Sequence, residues 1–424
     1  MLASLSILPS KEEIKKIASE ARVFVNLLNA AVKKEGINAE IFLGGSFAKG
    51  TLVKKERYDI DIFVRFDWRY DELTVMLARL VKRACGNRKE FQITRLHGSR
   101  DYFRIIYRGI IFEVIPVLKI SKPKEERNVT DLSYFHVSYV KNQIKRDRKL
   151  MKEVALAKTF CRAQGCYGAE SYIQGFSGYG LECLIIYYKS FEKMARALEN
   201  VKERLIIDPA KQYKNKNDIL YSINESKLHS PIILADPTWK ERNVLAALSH
   251  ETFRKFQLAL KAFLKKPSIS FFKLEELDFE KIKAEAKEKN AELLHLRIST
   301  DRQAGDIAGT KLKKFSQFLA RELSLAYLIS REEFAYDENK SADAYYMLKP
   351  KIEIIKRGPP ISMKKDSGAF KKVNKNIFTK DGRYYSRIRI SRSGKYFLRQ
   401  WIKKKGKKTL EEMQINDLKV FDNS

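Results

Sequence analysis

The stretch "GGSFAKGTLVKKERYDIDIF", residues 44–63, holds two kinds of side chain suited to phosphate chemistry. Asp59 and Asp61 alternate with Ile60 and Ile62, so in a strand both carboxylates face one way and both isoleucines the other. Like charges at that spacing repel. They persist if a cation sits between them, if one is protonated, or if both are solvated at a strand end. Ahead of them, the Gly44-Gly45-Ser46 turn lets backbone amides approach a phosphate with no Cβ in between. Ser46 adds a hydroxyl donor and Lys49 a positive charge. A phosphate cradle followed by an Asp-x-Asp pair reads as a two-part device, one part for a triphosphate and the other for divalent metals bound to it. A third carboxylate is expected from a neighbouring strand. Glu113, in "IIFEVIPV", lies among Phe112, Val114 and Ile115, where an unpaired buried charge would be costly.

The elements that must position these residues can be read around them. "PSKEEIKKIASEARVFVNLLNAAVKKEGI" carries a capping box, Ser10 with Glu13, then apolar residues at helical spacing and Gly36 near the end. Strands follow at "AEIFLGG" and "YDIDIFVRF", a helix at "DELTVMLARLVKRACG", and three β-rich runs, the last two joined as a hairpin at Gly109. This is a small mixed α+β domain ending near residue 120. Helical periodicity dominates from Tyr139 to Leu198, interrupted by the loop "GCYGAESYIQGFSGYG", whose "GFSGYG" lets helix and loop pack closely. A long helix is expected from Asn243 toward Leu264, and Pro267 marks a boundary. Beyond it come helical sequence, the strand "LLHLRIST", the helix "GTKLKKFSQFLAREL" and a loop around "KRGPPISMKKDSG". The end reads as hairpins with turns at Asp381-Gly382 and Ser393-Gly394, mixing aromatic with basic residues in a pattern suited to RNA stacking and phosphate contact.

Charge narrows the partner. Lys+Arg 84 against Asp+Glu 52 leaves a net +32 over 424 residues, which calls for a polyanion, nucleic acid first and an acidic membrane surface second. The four cysteines show no CxxC spacing, so neither a zinc site nor a disulfide framework is expected, and a reducing cytoplasm fits. The N-terminus has no basic run before an apolar core, and no window reaches the ~18 apolar residues of a membrane span.

"GGSFAKGT" followed by "DIDIFV" resembles the DNA polymerase β nucleotidyltransferase superfamily. "DLSYFHVSYVK", "KTFCRAQGCYGAESYIQGFSGYGLECLIIYYKSFE", "DPTWKERNVLAALS" and "RQAGDIAGTKLKKFSQFL" are similar to successive blocks of the archaeal-type, class I CCA-adding tRNA nucleotidyltransferases. The resemblance implies a multidomain α+β fold: a polymerase-β-like catalytic head with a small mixed sheet (1–138), a helical neck and body completing the nucleotide pocket (139–268), and a basic α+β tail that grips tRNA (269–424). It implies template-independent addition of C, C and A to the tRNA 3′ end. Asp59, Asp61 and Glu113 would hold two Mg²⁺ ions; Gly45, Ser46, Lys49, Lys158 and Tyr167 would hold the triphosphate. Ser133 and His136 would contact the nucleotide, and Arg242 the edge of the base. Three positions depart from the family: Glu113 stands for Asp, Lys49 for Arg and Ser133 for Thr. A family histidine upstream of the third carboxylate corresponds to His97 or Arg100. The implied partners are CTP, ATP and tRNA through its acceptor and TΨC minihelix, with a homodimer as an option and no membrane partner. Two rivals stand beside this reading, a poly(A)- or oligoadenylate-forming nucleotidyltransferase and a catalytically silent RNA-binding protein on the same scaffold.

Overall fold

Ser10 and Glu13 cap the first helix reciprocally: Glu13 N–H donates to Ser10 Oγ (3.1 Å) and Ser10 N–H to Glu13 Oε2 (2.7 Å). They open α1 (Lys11–Glu35), which Gly36 ends in the left-handed conformation, as the sequence led us to expect. The computed structural model describes residues 5–274, 277–351, 354–388 and 393–421. By internal contacts the chain divides into two compact units, Met1–Glu275 and Glu276–Ser424.

In the first unit, β1 (Ala39–Leu43), α2 (Gly45–Lys49), β2 (Asp59–Phe66), α3 (Leu73–Cys85), β3 (Gln92–Leu96), β4 (Tyr102–Tyr107) and β5 (Ile110–Leu118) follow α1. The strands form one sheet in the order β1-β2-β5-β4-β3. Parallel β2 and β5 lie side by side in it, and the other neighbouring pairs are antiparallel. Alternation does the sorting on β2: Ile60, Ile62 and Val64 are buried in a core with Phe24 and Leu28 of α1 and Leu77 and Leu80 of α3, while Asp59 and Asp61 stay only partly covered. Phe24 stacks on Phe112 of β5 at 4.6 Å between ring centroids, fixing the helix to the strand that carries Glu113.

The unit continues through α4 (Ser133–Arg146), α5 (Leu150–Ala163), α6 (Gly178–Tyr188), α7 (Phe191–Leu198), β6 (Leu205–Ile207), α8 (Lys216–Ser222), β7 (Ile232–Leu234) and α9 (His250–Lys265). Its second core holds Phe160, Phe176, Phe191, Phe256, Phe263 and Phe272. Helix α9 starts seven residues later than the sequence pattern placed it, capped by Ser249, whose Oγ accepts from Thr252 N–H (3.1 Å). Asn243 serves another purpose. Its buried amide accepts from the Leu234 and Leu245 N–H groups (3.0 Å each) and donates to Lys227 O and Ser230 Oγ, binding the loop before α9 to β7. In the glycine-rich loop, a Cβ on Gly175 would fall 2.2 Å from Cys166 O and one on Gly180 2.5 Å from Leu245 Cδ2. Close packing is what those glycines allow.

The second unit contains α10 (Phe279–Glu288), β8 (Glu292–Ser299), α11 (Asp306–Ser324), β9 (Tyr327–Tyr336), β10 (Ser341–Pro350), β11 (Ile354–Pro360), α12 (Lys364–Val373), β12 (Ile377–Lys380), β13 (Arg383–Ile388), α13 (Gly394–Trp401), α14 (Lys407–Met413) and β14 (Asp417–Val420). Its sheets run β14-β8-β10-β9 and β11-β13-β12. Phe315, Leu319 and Leu323 of α11 share a core with Ala342, Ala344 and Tyr346 of β10. Two expectations are corrected here. The segment "KRGPPISMKKDSG" is a loop only at residues 361–363, between the end of β11 and the start of α12; its prolines fall where the β11–β13 register shifts, so the missing N–H groups cost little. Asp381-Gly382 does turn the β12–β13 hairpin, whereas Ser393-Gly394 begins a helix. Ser393 Oγ accepts from Tyr396 N–H, and the Glu292 carboxylate accepts from the Gly394 and Lys395 N–H groups, which together anchor the start of α13. Residues 389–392, in the expected second hairpin, lie outside those described.

Candidate active site

Pairing of β2 with β5 brings the carboxylates together. Asp61 faces Glu113 in register across the parallel pair, with Asp59 one pleat earlier opposite Ile111. Gly44 N–H donates to the Asp61 carbonyl (2.9 Å), tying the turn before α2 to the strand bearing the acids. The two glycines are required there. A Cβ on Gly44 would fall 2.1 Å from the Phe63 ring, and one on Gly45, which has φ +58°, would fall 1.5 Å from Asp61 Oδ2.

The outer acids already have basic neighbours. Lys55 Nζ lies 2.5 Å from Asp59 Oδ2, and Arg104, opposite Glu113 on β4, donates to Glu113 Oε1 at 3.0 Å. Burial and then the Glu113 charge push Asp61 up to about 7. Glu113 is also raised by burial, with Arg104 pulling the other way. Among the described residues no three His, Cys, Asp or Glu side chains form a ready metal cage. The donor set nevertheless suits a hard divalent cation. It offers oxygens only, and a cation would relieve the burial and repulsion that raise two of these acids.

A second cluster lies behind α2. Lys49, its last residue, is buried and places Nζ 2.8 Å from Glu182 Oε2. Lys158 of α5 donates to Glu182 Oε1 (2.8 Å), to Thr51 Oγ1 (3.2 Å) and to Thr51 O (3.3 Å). Burial works to raise Glu182, but the charges of Lys158 and Lys49 overcome it and hold the carboxyl at about 2. Burial lowers Lys158, with Glu182 opposing.

A third cluster surrounds Asp236, which is fully buried after β7. His136 Nε2 lies 3.1 Å from its Oδ2, Arg242 Nη1 donates to the same oxygen at 2.7 Å, and Tyr179 OH donates to Oδ1 at 2.9 Å. The His136 ring stacks on Tyr179 with centroids 4.0 Å apart, and Lys49 Nζ sits 5.2 Å from the centre of that same tyrosine ring. Tyr179 therefore joins the second cluster to the third. Burial opposes ionisation of Asp236, yet His136 and Arg242 hold it well below the usual carboxylate range. Burial lowers His136, with Asp236 opposing.

Of the residues singled out in the sequence, Asp59, Asp61 and Glu113 stand on the adjacent central strands β2 and β5, with Gly45 against Asp61. Lys49 and Lys158 share Glu182, and His136 and Arg242 share Asp236. Ser46 lies in α2, and Ser133, partly buried, begins α4. Tyr167 lies under the Arg162 guanidinium (4.5 Å), with Gly178 leaving room for its hydroxyl. Arg100 grips the buried Asp131, which also accepts from the Leu118, Arg127 and Asn128 N–H groups, while exposed His97 pairs with Asp101 at 2.6 Å. Sequence reasoning missed Glu182 and Asp236. Each had a signal, an acid inside the apolar run "LECLII" and an acid ending the apolar strand "IILAD".

Comparison with known proteins places the chain in a family. Residues 25–150 match the family described as nucleotidyltransferase domain, and residues 152–273 match tRNA nucleotidyltransferase, second domain. The CCA-adding enzyme of Nanoarchaeum equitans is 32% identical over 387 residues, 90% of this chain and 91% of that one. The CCA-adding enzyme of Sulfurisphaera tokodaii is 32% identical over 266 residues, 63% of this chain and 59% of that one. A solved cytoplasmic RNA terminal U-transferase covers 64% of this chain and 96% of its own at 15% identity and TM-score 0.49, too distant to bear on the argument. Two consecutive family matches and a relative aligned over nine-tenths of its length establish the assignment: the chain belongs to the CCA-adding enzymes, tRNA nucleotidyltransferases of the polymerase-β-like superfamily.

Proposed function

We propose that the site built on β2, β5 and α2 carries out this family's reaction, extending the tRNA 3′ end with C, C and A from CTP and ATP without a nucleic-acid template. The observation that carries the proposal is the register of Asp61 beside Glu113, directly against the Gly44-Gly45 turn. Asp59, Asp61 and Glu113 would hold two Mg²⁺ ions. Such ions would supply acidity to the attacking 3′-hydroxyl and positive charge for the α-phosphate and the departing pyrophosphate.

The chain's own residues bind and orient. Gly45, Ser46 and Lys49 meet the triphosphate from α2 and Tyr167 from the loop after α5, while Lys158, its donors held by Glu182 and Thr51, adds its positive charge from behind. Ser133 and His136 contact the nucleotide. Asp236 occupies one nitrogen of Arg242 and fixes the guanidinium, leaving its other donors for the edge of the base. The residues 1–138, 139–268 and 269–424 act as catalytic head, nucleotide-pocket body and tRNA-gripping tail. No described helix is long and apolar enough to cross a membrane, and we place the activity in the cytoplasm.

Competitive nucleotide binding tests the pocket. Arg242→Ala removes a charged donor worth about 1.5–3 kcal/mol, so the preference for CTP and ATP over UTP and GTP should shrink roughly 10- to 150-fold. Unchanged discrimination would remove Arg242 from the pocket. The tRNA contact has its own test. With a surplus of +32, tRNA affinity should fall about 10³-fold or more between roughly 50 and 200 mM salt. A flat salt response in filter binding would mean that phosphate contacts do not dominate.

A further inference from the structure

Two ammonium groups and one carboxylate are buried together at the junction of α2, α5 and α6: Lys158 is 2% and Glu182 1% exposed, and Lys49 9%. Each Glu182 oxygen has a defined task. Oε2 accepts from Lys49 (2.8 Å), and Oε1 accepts from both Lys158 (2.8 Å) and Thr51 Oγ1 (2.6 Å). The three N–H donors of Lys158 are matched by Glu182 and the two Thr51 oxygens. Desolvating three charges is expensive, and a well-packed apolar cluster of similar volume would commonly be at least as stable. Stability is therefore a poor reason for this arrangement, in which two ammonium groups share one paired carboxylate and Lys49 faces Asp61 without forming an ion pair to it. A surplus of that sign, behind a glycine turn, suits an anionic ligand.

We propose that Glu182 is the positioning residue of the triphosphate subsite. It fastens Lys49 of α2 and Lys158 of α5 into one buried cluster, so that their shared surplus charge meets the polyphosphate. This inference rests on the reading above, in which Lys49 and Lys158 bind the triphosphate. The other groups facing the cluster are Arg162 and Tyr167 from α5 and its loop, Tyr179 and Cys183 from α6, His136 from α4 and Asp61 from β2. Arg162 and Lys49 both disfavour a charged Lys158, and Glu182 is the acid that opposes them. Without its negative charge, burial and two like charges act on Lys158 unopposed. Its proton then leaves at lower pH, and with it part of the attraction for phosphate.

The test is the pH profile of steady-state extension by the full-length protein. In Glu182→Gln the KM for CTP and for ATP should climb about tenfold or more as pH rises, and begin to climb at lower pH than in wild type, with kcat following the wild-type profile. Wild-type KM should stay nearly level until that higher pH, and Glu182→Asp should restore most of that behaviour. A KM unaltered in Glu182→Gln, or raised equally at every pH, would overturn the proposal, since a merely structural role has no reason to follow a lysine titration. Lys49→Ala separates the two levels of the argument. Wild-type KM in that variant would discard the triphosphate assignment itself, whereas a raised KM there beside an unaltered Glu182→Gln would discard only the role of Glu182. Should Glu182→Gln fail to fold, Thr51→Val removes the hydroxyl shared by Glu182 and Lys158 while keeping all three charges. A severalfold higher nucleotide KM is then expected, and no change would count against the cluster.

Discussion

Asp61→Asn is expected to lower the rate of nucleotide addition by about 10³-fold or more, equivalent to about 4 kcal/mol of barrier, and at the same time to stabilise the metal-free protein. Both effects have the same origin. Asp61 is held between β1 and β5, against Gly45 and beside Glu113, where burial and repulsion raise it to about 7. A carboxyl raised above its unfolded value favours folding in its protonated form, so stability is lost as pH rises from the unfolded value through the folded one. Asparagine carries no such charge. In EDTA, the melting-temperature advantage of Asp61→Asn over wild type should be small near pH 4, grow toward pH 7 and level off above it. The gap from the ordinary value of 3.8 to about 7 corresponds to a limit of about 4 kcal/mol, an order-of-magnitude figure. Thermal melts across that range, beside single-turnover extension with Mg²⁺, check both halves. An active Asp61→Asn enzyme would remove the residue from catalysis, and a variant destabilised above pH 7 would show that its carboxylate is not strained.

Gly45→Ala should abolish addition about as completely, for a steric reason. The backbone there has φ +58°, and the new methyl carbon would lie 1.5 Å from Asp61 Oδ2, so either α2 or the carboxylate must move. Left-handed strain alone costs about 1–2 kcal/mol. Gly36→Ala separates strain from collision. Gly36 has φ +62° with nothing within 4 Å of its added Cβ, so that variant should lose stability of the same order and keep its extension rate. Chemical denaturation and extension assays on the pair provide the comparison; equal activity in both variants would mean that the turn does not position Asp61.

Local signals in the sequence were strong where local chemistry decides structure. The Ser10–Glu13 cap, the Asp-Ile-Asp-Ile alternation and the Gly109 and Asp381-Gly382 hairpins are each fixed by neighbours within a few residues, and each appears in the fold. What local pattern could not reveal was partnership over long separations. The Asp61–Glu113 register joins residues more than fifty positions apart, although the search for a third acid in an apolar strand did find Glu113. Glu182 and Asp236 escaped because their meaning comes from partners far along the chain, Lys49 and Lys158 for the first and His136 for the second, even though Arg242 lies only six residues from Asp236. Ser393-Gly394 misled for a related reason: the pair suits a hairpin turn, but the Glu292 carboxylate from β8 meets its amides and favours a helix start.

The most direct test begins with a tRNA transcript ending at the discriminator base, incubated with Mg²⁺ and CTP, ATP or both, and resolved to single nucleotides. CTP alone should add two residues and CTP with ATP three, while the Asp59→Ala, Asp61→Ala double variant should add none yet still bind the tRNA. Long adenylate tails from ATP, or no extension of a tightly bound tRNA by the wild-type chain, would contradict CCA addition at this site.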